Sequence, residues 1–95
     1  MFTVATFADR IGDAFRVDTG SDTVELRLVQ VADPPTSQPS PGERTPFSLV
    51  FLGPGGDVLP QRIYPFDHDE LGSFEIFIVP IGQDADGVRY EAVFA

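Results

Sequence analysis

Apolar and polar residues alternate along most of the chain, which predicts half-buried β-strands. In the second such segment, Val24, Leu26 and Leu28 fall on one face and charged residues fall on the other. Short turns join most of these segments, so the strands are expected to pair with their sequence neighbours in antiparallel fashion. The alternating segments are residues 14–18, 23–28, 47–52 and 88–95.

Two further segments depart from strict alternation. Residues 59–66 contain Pro60 and Pro65, and a proline cannot donate a hydrogen bond to a strand ladder, so an edge strand is predicted there. Residues 72–81 are apolar almost throughout. Such a run predicts a central strand that is buried on both faces.

A helical pattern occurs in residues 3–12, where Phe7 and Ile11 are four positions apart on one face. Gly12 follows, at a position where a left-handed backbone suits glycine. With the strands, this predicts one all-β, mainly antiparallel domain over residues 1–95. Its expected form is a compact small sandwich or partly open barrel of about six strands with one short N-terminal helix.

Residues 33–46 interrupt the strand pattern and contain no apolar side chain apart from proline itself. The composition predicts an extended, mobile loop, and its length exceeds that of a routine connection. The loop is therefore expected to be either functional, as an interaction loop, or simply tolerated. Its candidate contact residues are Pro34, Pro35, Pro39, Pro41 and Arg44.

The chain is acidic, with 15 Asp and Glu against 6 Lys and Arg, and a net charge of −9. This charge argues against nucleic acid and anionic membrane surfaces as partners, and it favours a protein partner with a basic surface or self-association. The longest apolar run, residues 76–81, is too short for membrane insertion. The start of the chain lacks the basic segment of a signal peptide. We expect synthesis in the cytoplasm, with later incorporation into a particle or extracellular assembly left open.

Candidate chemistry is concentrated around His68, the single histidine, which stands between Asp67 and Asp69. Consecutive residues point in different directions, so these side chains cannot all bind one ion, and zinc sites require further histidines or cysteines. The chain has no cysteine. The Asp84–Gly87 string fits a hairpin turn better than a calcium loop.

No nucleophile elbow accompanies Ser48 or Ser73, the candidate nucleophiles. No catalytic, cofactor-binding or metal residue is therefore assigned, no cofactor is expected, and the protein is not expected to be an enzyme. A metal-assisted hydrolase is the least favoured hypothesis. Residues 66–72, with the sequence FDHDELG, are instead interpreted as a corner. In this corner, His68 forms hydrogen bonds with nearby groups, Leu71 enters the core and Gly72 permits a bend.

The stretch HDELGSFEIFIVPIGQDADGVRYEAVF at residues 68–94 resembles the C-terminal signature of a family of small bacterial domains of unknown function. FADRIGDAF and PFSLVF, at residues 7–15 and 46–51, resemble its earlier blocks. Genes of the family often neighbour those of phage-tail-collar-like proteins, and no catalytic residues are assigned to it. The polar exceptions among its recurrent positions are His68 and Tyr90, which suggests that the Tyr90 hydroxyl helps His68 to fix the corner.

The resemblance implies a non-catalytic protein–protein interaction or structural module in a phage-tail-like, secreted or cell-surface assembly. Exposed strand edges and the Pro-rich loop are the expected contact surface. The alternative is a small barrel that binds a sugar or a lipid, which requires a cavity of roughly 300 Å³ or more.

Overall fold

The computed structural model of the chain describes residues 4–32, 47–56 and 58–94. The predicted Pro-rich loop lies outside these residues, together with its candidate contacts Pro34, Pro35, Pro39, Pro41 and Arg44.

Six strands form a closed antiparallel barrel in the order β1-β2-β3-β6-β5-β4. This confirms the all-β prediction and its strand number, and it shows a closed barrel where a sandwich or partly open barrel was expected. The elements are α1 (Val4–Ala8), β1 (Ala14–Asp18), β2 (Thr23–Ala32), β3 (Phe47–Gly53), β4 (Arg62–His68), β5 (Gly72–Asp84) and β6 (Gly87–Phe94).

Aromatic side chains fill the interior of the barrel. The Phe15 ring packs against Phe51, Phe66 and Phe74, with ring centroids 5.4, 6.4 and 6.3 Å away. The inward residues of each alternating strand complete the core, as the period of two requires. Burial of each large side chain stabilises the fold by about 1.5–3 kcal/mol.

Helix α1 closes one end of the barrel, called here the helix end. Phe7 is fully buried, and its ring lies 6.0–6.4 Å from those of Phe15, Phe47 and Phe74 on three different strands. No helix within the described residues is long and apolar enough to cross a membrane.

The predicted helix over residues 3–12 is too long at its C-terminal end, since α1 stops at Ala8. Gly12 N–H donates to the Leu28 carbonyl at 2.7 Å, which draws the chain into strand-like pairing with β2. Gly12 has the expected positive φ, 97°. Ile11 is consequently 53% exposed rather than sharing a buried face with Phe7.

The prediction of an edge strand at residues 59–66 is wrong, because β4 lies between β1 and β5. Its contact with β1 is limited to two residue pairs, Arg16↔Asp67 and Val17↔Phe66. Pro65 precedes Phe66 along β4 and lies just outside these two pairs, so its missing N–H interrupts neither of them.

The prediction that β5 is a central strand buried on both faces is also wrong. Ile76 and Ile78 are buried, whereas Phe77 between them is 49% exposed. A closed barrel gives each strand only one buried face, and no strand is more central than another. The apolar residues on the outer face of β5 are therefore on the protein surface.

Candidate functional site

The short junction between β1 and β4 is reinforced by ion pairs on the outer surface. The Arg16 guanidinium donates from Nη2 to Asp67 Oδ2 at 2.6 Å and to Asp69 Oδ1 at 2.8 Å. Arg10 Nη1 lies 2.9 Å from Glu70 Oε2. We call this group the polar seam; its members are Arg10, Asp13, Arg16, Asp67, His68, Asp69 and Glu70.

Hydrogen bonds within the polar seam favour the charged forms of its side chains. The Arg16 hydrogen bonds and the Ser73 hydroxyl, which donates to Asp67 Oδ1 at 3.0 Å, hold the pKa of Asp67 below its usual value. Asp67 and Asp69 in turn raise the pKa of Arg16. These side-chain contacts thus help to stabilise the junction between β1 and β4, where the backbone pairing is short.

His68 is the buried centre of the polar seam and is 5% exposed. Its Nδ1 accepts hydrogen bonds from the backbone N–H groups of Glu70 and Leu71, both at 3.1 Å. The proton of the neutral ring therefore resides on Nε2, which donates to Asp13 Oδ2 at 2.9 Å. Because both nitrogens are occupied and the ring packs 4.6 Å from Phe15, His68 is poorly placed to act as a base or a metal ligand.

The corner residues His68, Leu71 and Gly72 lie together at the β4–β5 turn. Gly72 pairs with His68 and has a φ of 83°, while Leu71 packs against the core. The part of the hypothesis that joined Tyr90 to this corner is wrong. The Tyr90 hydroxyl accepts from the Leu59 N–H at 3.0 Å, because β6 runs antiparallel to β5 and brings Tyr90 towards the opposite end of the barrel.

The acidic string at Asp84 forms the turn between β5 and β6. Asp84 Oδ1 accepts from the Asp86 N–H at 2.9 Å, and this bond lowers the pKa of Asp84, aided by Arg89. Gly87 has a φ of 138°, and a Cβ there would collide with the Gly53 carbonyl. Within the described ranges, no group of three or more His, Cys, Asp or Glu side chains could hold a metal.

A cavity of about 470 Å³ opens at the end of the barrel opposite α1, called here the tyrosine end. The Tyr64 hydroxyl donates to the Pro60 carbonyl at 2.7 Å, and burial raises the pKa of this phenol. The Arg62 guanidinium lies 5.4 Å from the centre of the Tyr64 ring. Both tyrosine hydroxyls in the cavity wall are thus already engaged by the protein.

The outer surface of β4, β5 and β6 carries an apolar patch. Ile63 and Phe77 are directly opposite each other across the two strands and are 58% and 49% exposed. Ile81, at a bulge in β5, and Val93 are 51% and 66% exposed. The patch is defined as Ile63, Phe77, Val79, Ile81 and Val93.

Sequence reasoning missed the apolar patch because it assigned residues 72–81 to the core. The available signal was parity: once Ile76 and Ile78 face inward, Phe77 must face outward. The seam residues Asp13 and Arg16 were also missed. Their partners His68 and Asp67 are 55 and 51 residues away in sequence, and no local pattern indicates such pairs.

A family model described as Domain of unknown function (DUF6916) matches residues 2–94. This confirms the resemblance to an uncharacterised domain family; the bacterial origin and the phage-tail gene context of that resemblance stay predictions. The search of curated proteins and the search of solved structures found no match.

Proposed function

We propose a function for this chain, which belongs to the family described as Domain of unknown function (DUF6916), from its outer surface. The protein is a non-catalytic interaction module that binds a partner protein through the apolar patch. The observation that carries the proposal is the exposed cross-strand pair of Ile63 and Phe77.

Exposure of several apolar side chains to water on one face of the barrel is energetically unfavourable. Single exposed apolar residues are common on monomers, but contiguous patches mark interaction sites. Aromatic residues such as Phe77 are enriched at the buried centres of interfaces. A partner that covered the patch would remove this apolar area from water, at about 25 cal/mol per Å² before the costs of association.

The proposed contact surface differs from strand edges, because barrel closure gives every strand a neighbour on each side. A closed sheet limits the strand addition that open edges allow. Docking then relies on side chains that point outward from the strands. The assembly that we propose for the partner is the phage-tail-like, secreted or cell-surface particle implied by the family resemblance.

The experiment is co-expression of the chain with the proteins encoded beside its gene, followed by native mass measurement. We expect a defined complex that is lost in the double variant Ile63→Ser/Phe77→Ser. Ile11→Ser is the matched control, since Ile11 is exposed to a similar degree but lies outside the apolar patch. A complex that survives the double variant, or a strictly monomeric chain with each neighbour, contradicts the proposal.

The cavity at the tyrosine end supports a second candidate, a small ligand-binding barrel for a sugar or a lipid. Its volume of about 470 Å³ is within the range of small-molecule sites. Thermal unfolding in the presence of panels of sugars and fatty acids tests this candidate. A ligand that raises the midpoint with the parent protein but not with Arg62→Gln supports it, whereas no shift with any compound contradicts it.

A further inference from the structure

We infer that the partner of the apolar patch presents a basic rim around an apolar centre. The inference rests on the proposed function and names the chemistry of the surface that docks there. It is carried by two glutamates that flank the patch on the outer face of the barrel.

Glu75 and Glu91 border the exposed apolar side chains on two adjacent strands. Glu75 precedes Phe77 by two residues on β5, so both side chains project from the same face. Glu91 on β6 is directly opposite Val79. Among the described residues, neither glutamate forms an ion pair, so both carboxylates are available to a partner.

The arginines near this face do not balance the two glutamates. Arg89 is engaged by Asp84 and also lies 4.0 Å from Asp86. Arg62 lies over the Tyr64 ring at the tyrosine end instead of on the outer face. Within the part of the chain that the structure describes, the uncompensated charge around the apolar patch is therefore negative, and an approaching surface with Lys or Arg at its rim is favoured.

Charge also argues against a second copy of the chain as the occupant. Each copy carries a net charge of −9, and a symmetric contact through the apolar patch would place like carboxylates near one another. Like charges at an interface disfavour association. A basic heterologous partner instead gains from both the apolar centre and the acidic rim.

The probe is a short synthetic peptide that alternates leucine and lysine, compared with a matched peptide in which glutamate replaces lysine. Binding is followed by amide chemical shifts of the full chain. We expect the lysine peptide to perturb Phe77, Val79 and Val93, and the glutamate peptide to leave them unchanged. Affinity should fall as salt rises from about 50 to about 500 mM, because exposed ion pairs are screened.

The double variant Glu75→Gln/Glu91→Gln should weaken lysine-peptide binding about two- to thirty-fold, as the loss of two exposed ion pairs would. Glu25→Gln is the matched control, since Glu25 lies on β2, across the barrel from β5, and should not change the affinity. No binding of the lysine peptide, or equal binding of both peptides, overturns the inference.

Phe77→Ser separates the inference from the proposed function. If Phe77→Ser abolishes binding while the glutamate variants and salt have no effect, the docking surface stands and the basic rim is wrong. If Phe77→Ser retains full affinity for the lysine peptide and for the partner found by co-expression, the docking surface itself is wrong. Amide chemical-shift changes that are confined to Ile11 and the helix end contradict both the docking surface and the basic rim.

Discussion

Strand β4 carries two contrasting surfaces four residues apart. Asp67 belongs to the polar seam, where Arg16 and Ser73 use both of its carboxylate oxygens. Ile63, on the same outer face, belongs to the apolar patch, and its cross-strand neighbour Phe77 is also about half exposed. The charged side chains of the polar seam are paired within the chain, although the buried Arg10 Nε has no hydrogen-bond partner among the described residues. The exposed side chains of the apolar patch remain in contact with water.

The contrast separates a surface that serves folding from one that is available for binding. In the polar seam, each contact joins β1 or the residues just before it to β4 or to the β4–β5 turn, so the loss of a contact should lower the free energy of unfolding. In the apolar patch, the side chains contribute little to the fold because much of their surface stays in water. Their loss should appear in partner binding alone.

The largest difference in folding stability is expected between variants of two neighbouring residues on β5, Ile78 and Phe77. Ile78 is fully buried, and Ile78→Ala should lower the free energy of unfolding by about 2–5 kcal/mol through lost burial and a cavity. Denaturant unfolding measures this loss. A cost below about 1 kcal/mol would mean that β5 does not face the core as described, and the assignment of Phe77 to the surface would fail with it.

In the polar seam, His68→Ala should lower the free energy of unfolding by about 1–3 kcal/mol, because the Glu70 and Leu71 N–H groups lose their acceptor. His68→Asn is the informative companion, since its side-chain oxygen can accept from the same groups and should restore part of the stability. Equal losses in both variants would contradict the assigned role of Nδ1.

Asp67→Asn should have a smaller effect that depends on pH. The pKa of Asp67 is lowered in the folded protein, so as the pH falls the unfolded chain takes up the proton first, near pH of about 4. The stabilisation is present above that pH and is lost as the pH falls through the folded pKa. The variant should therefore be less stable than the parent at neutral pH and approach it in acid.

Urea unfolding at about pH 7 and about pH 3 tests this prediction. Asp9→Asn is the control, because it removes an exposed carboxylate outside the polar seam and leaves Arg16 paired. A stability gap between parent and Asp67→Asn that stays constant across both pH values would contradict the ion-pair account.

The smallest effect on folding is expected in the apolar patch. Phe77→Ala should change the free energy of unfolding by less than about 1 kcal/mol, the size of an exposed cross-strand contact with Ile63. The same denaturant experiment measures it. A loss comparable with that of Ile78→Ala would show that Phe77 serves the fold, and the contrast between the two surfaces would disappear.

The strands were predictable because the alternation of apolar and polar residues can be recognised within each short segment of the sequence. Val24, Leu26 and Leu28 alternate with charged residues, and no distant contact is needed to recognise their face. Barrel closure was not predictable in this way. It depends on β1 meeting β4, a pairing of Val17 with Phe66 that no neighbouring residues encode.

The apolar patch was hidden for a different physical reason. In residues 76–81 both faces of β5 are apolar, so the hydrophobic pattern does not reveal which face is buried. The corner at His68, Leu71 and Gly72 was anticipated from its turn residues. Its link to Asp13 was not, because that contact spans 55 residues and forms only once β1 and β4 are adjacent.

The central claim is that Phe77 binds a partner and does not hold the fold. The most direct measurement is the partner affinity of Phe77→Ala beside that of Ile11→Ala, each with its free energy of unfolding, in the complex found by co-expression. We expect at least about tenfold weaker binding for Phe77→Ala alone, as for a hot-spot residue, with both proteins as stable as the parent to within about 1 kcal/mol. Unchanged affinity of a fully folded Phe77→Ala protein would contradict the claim.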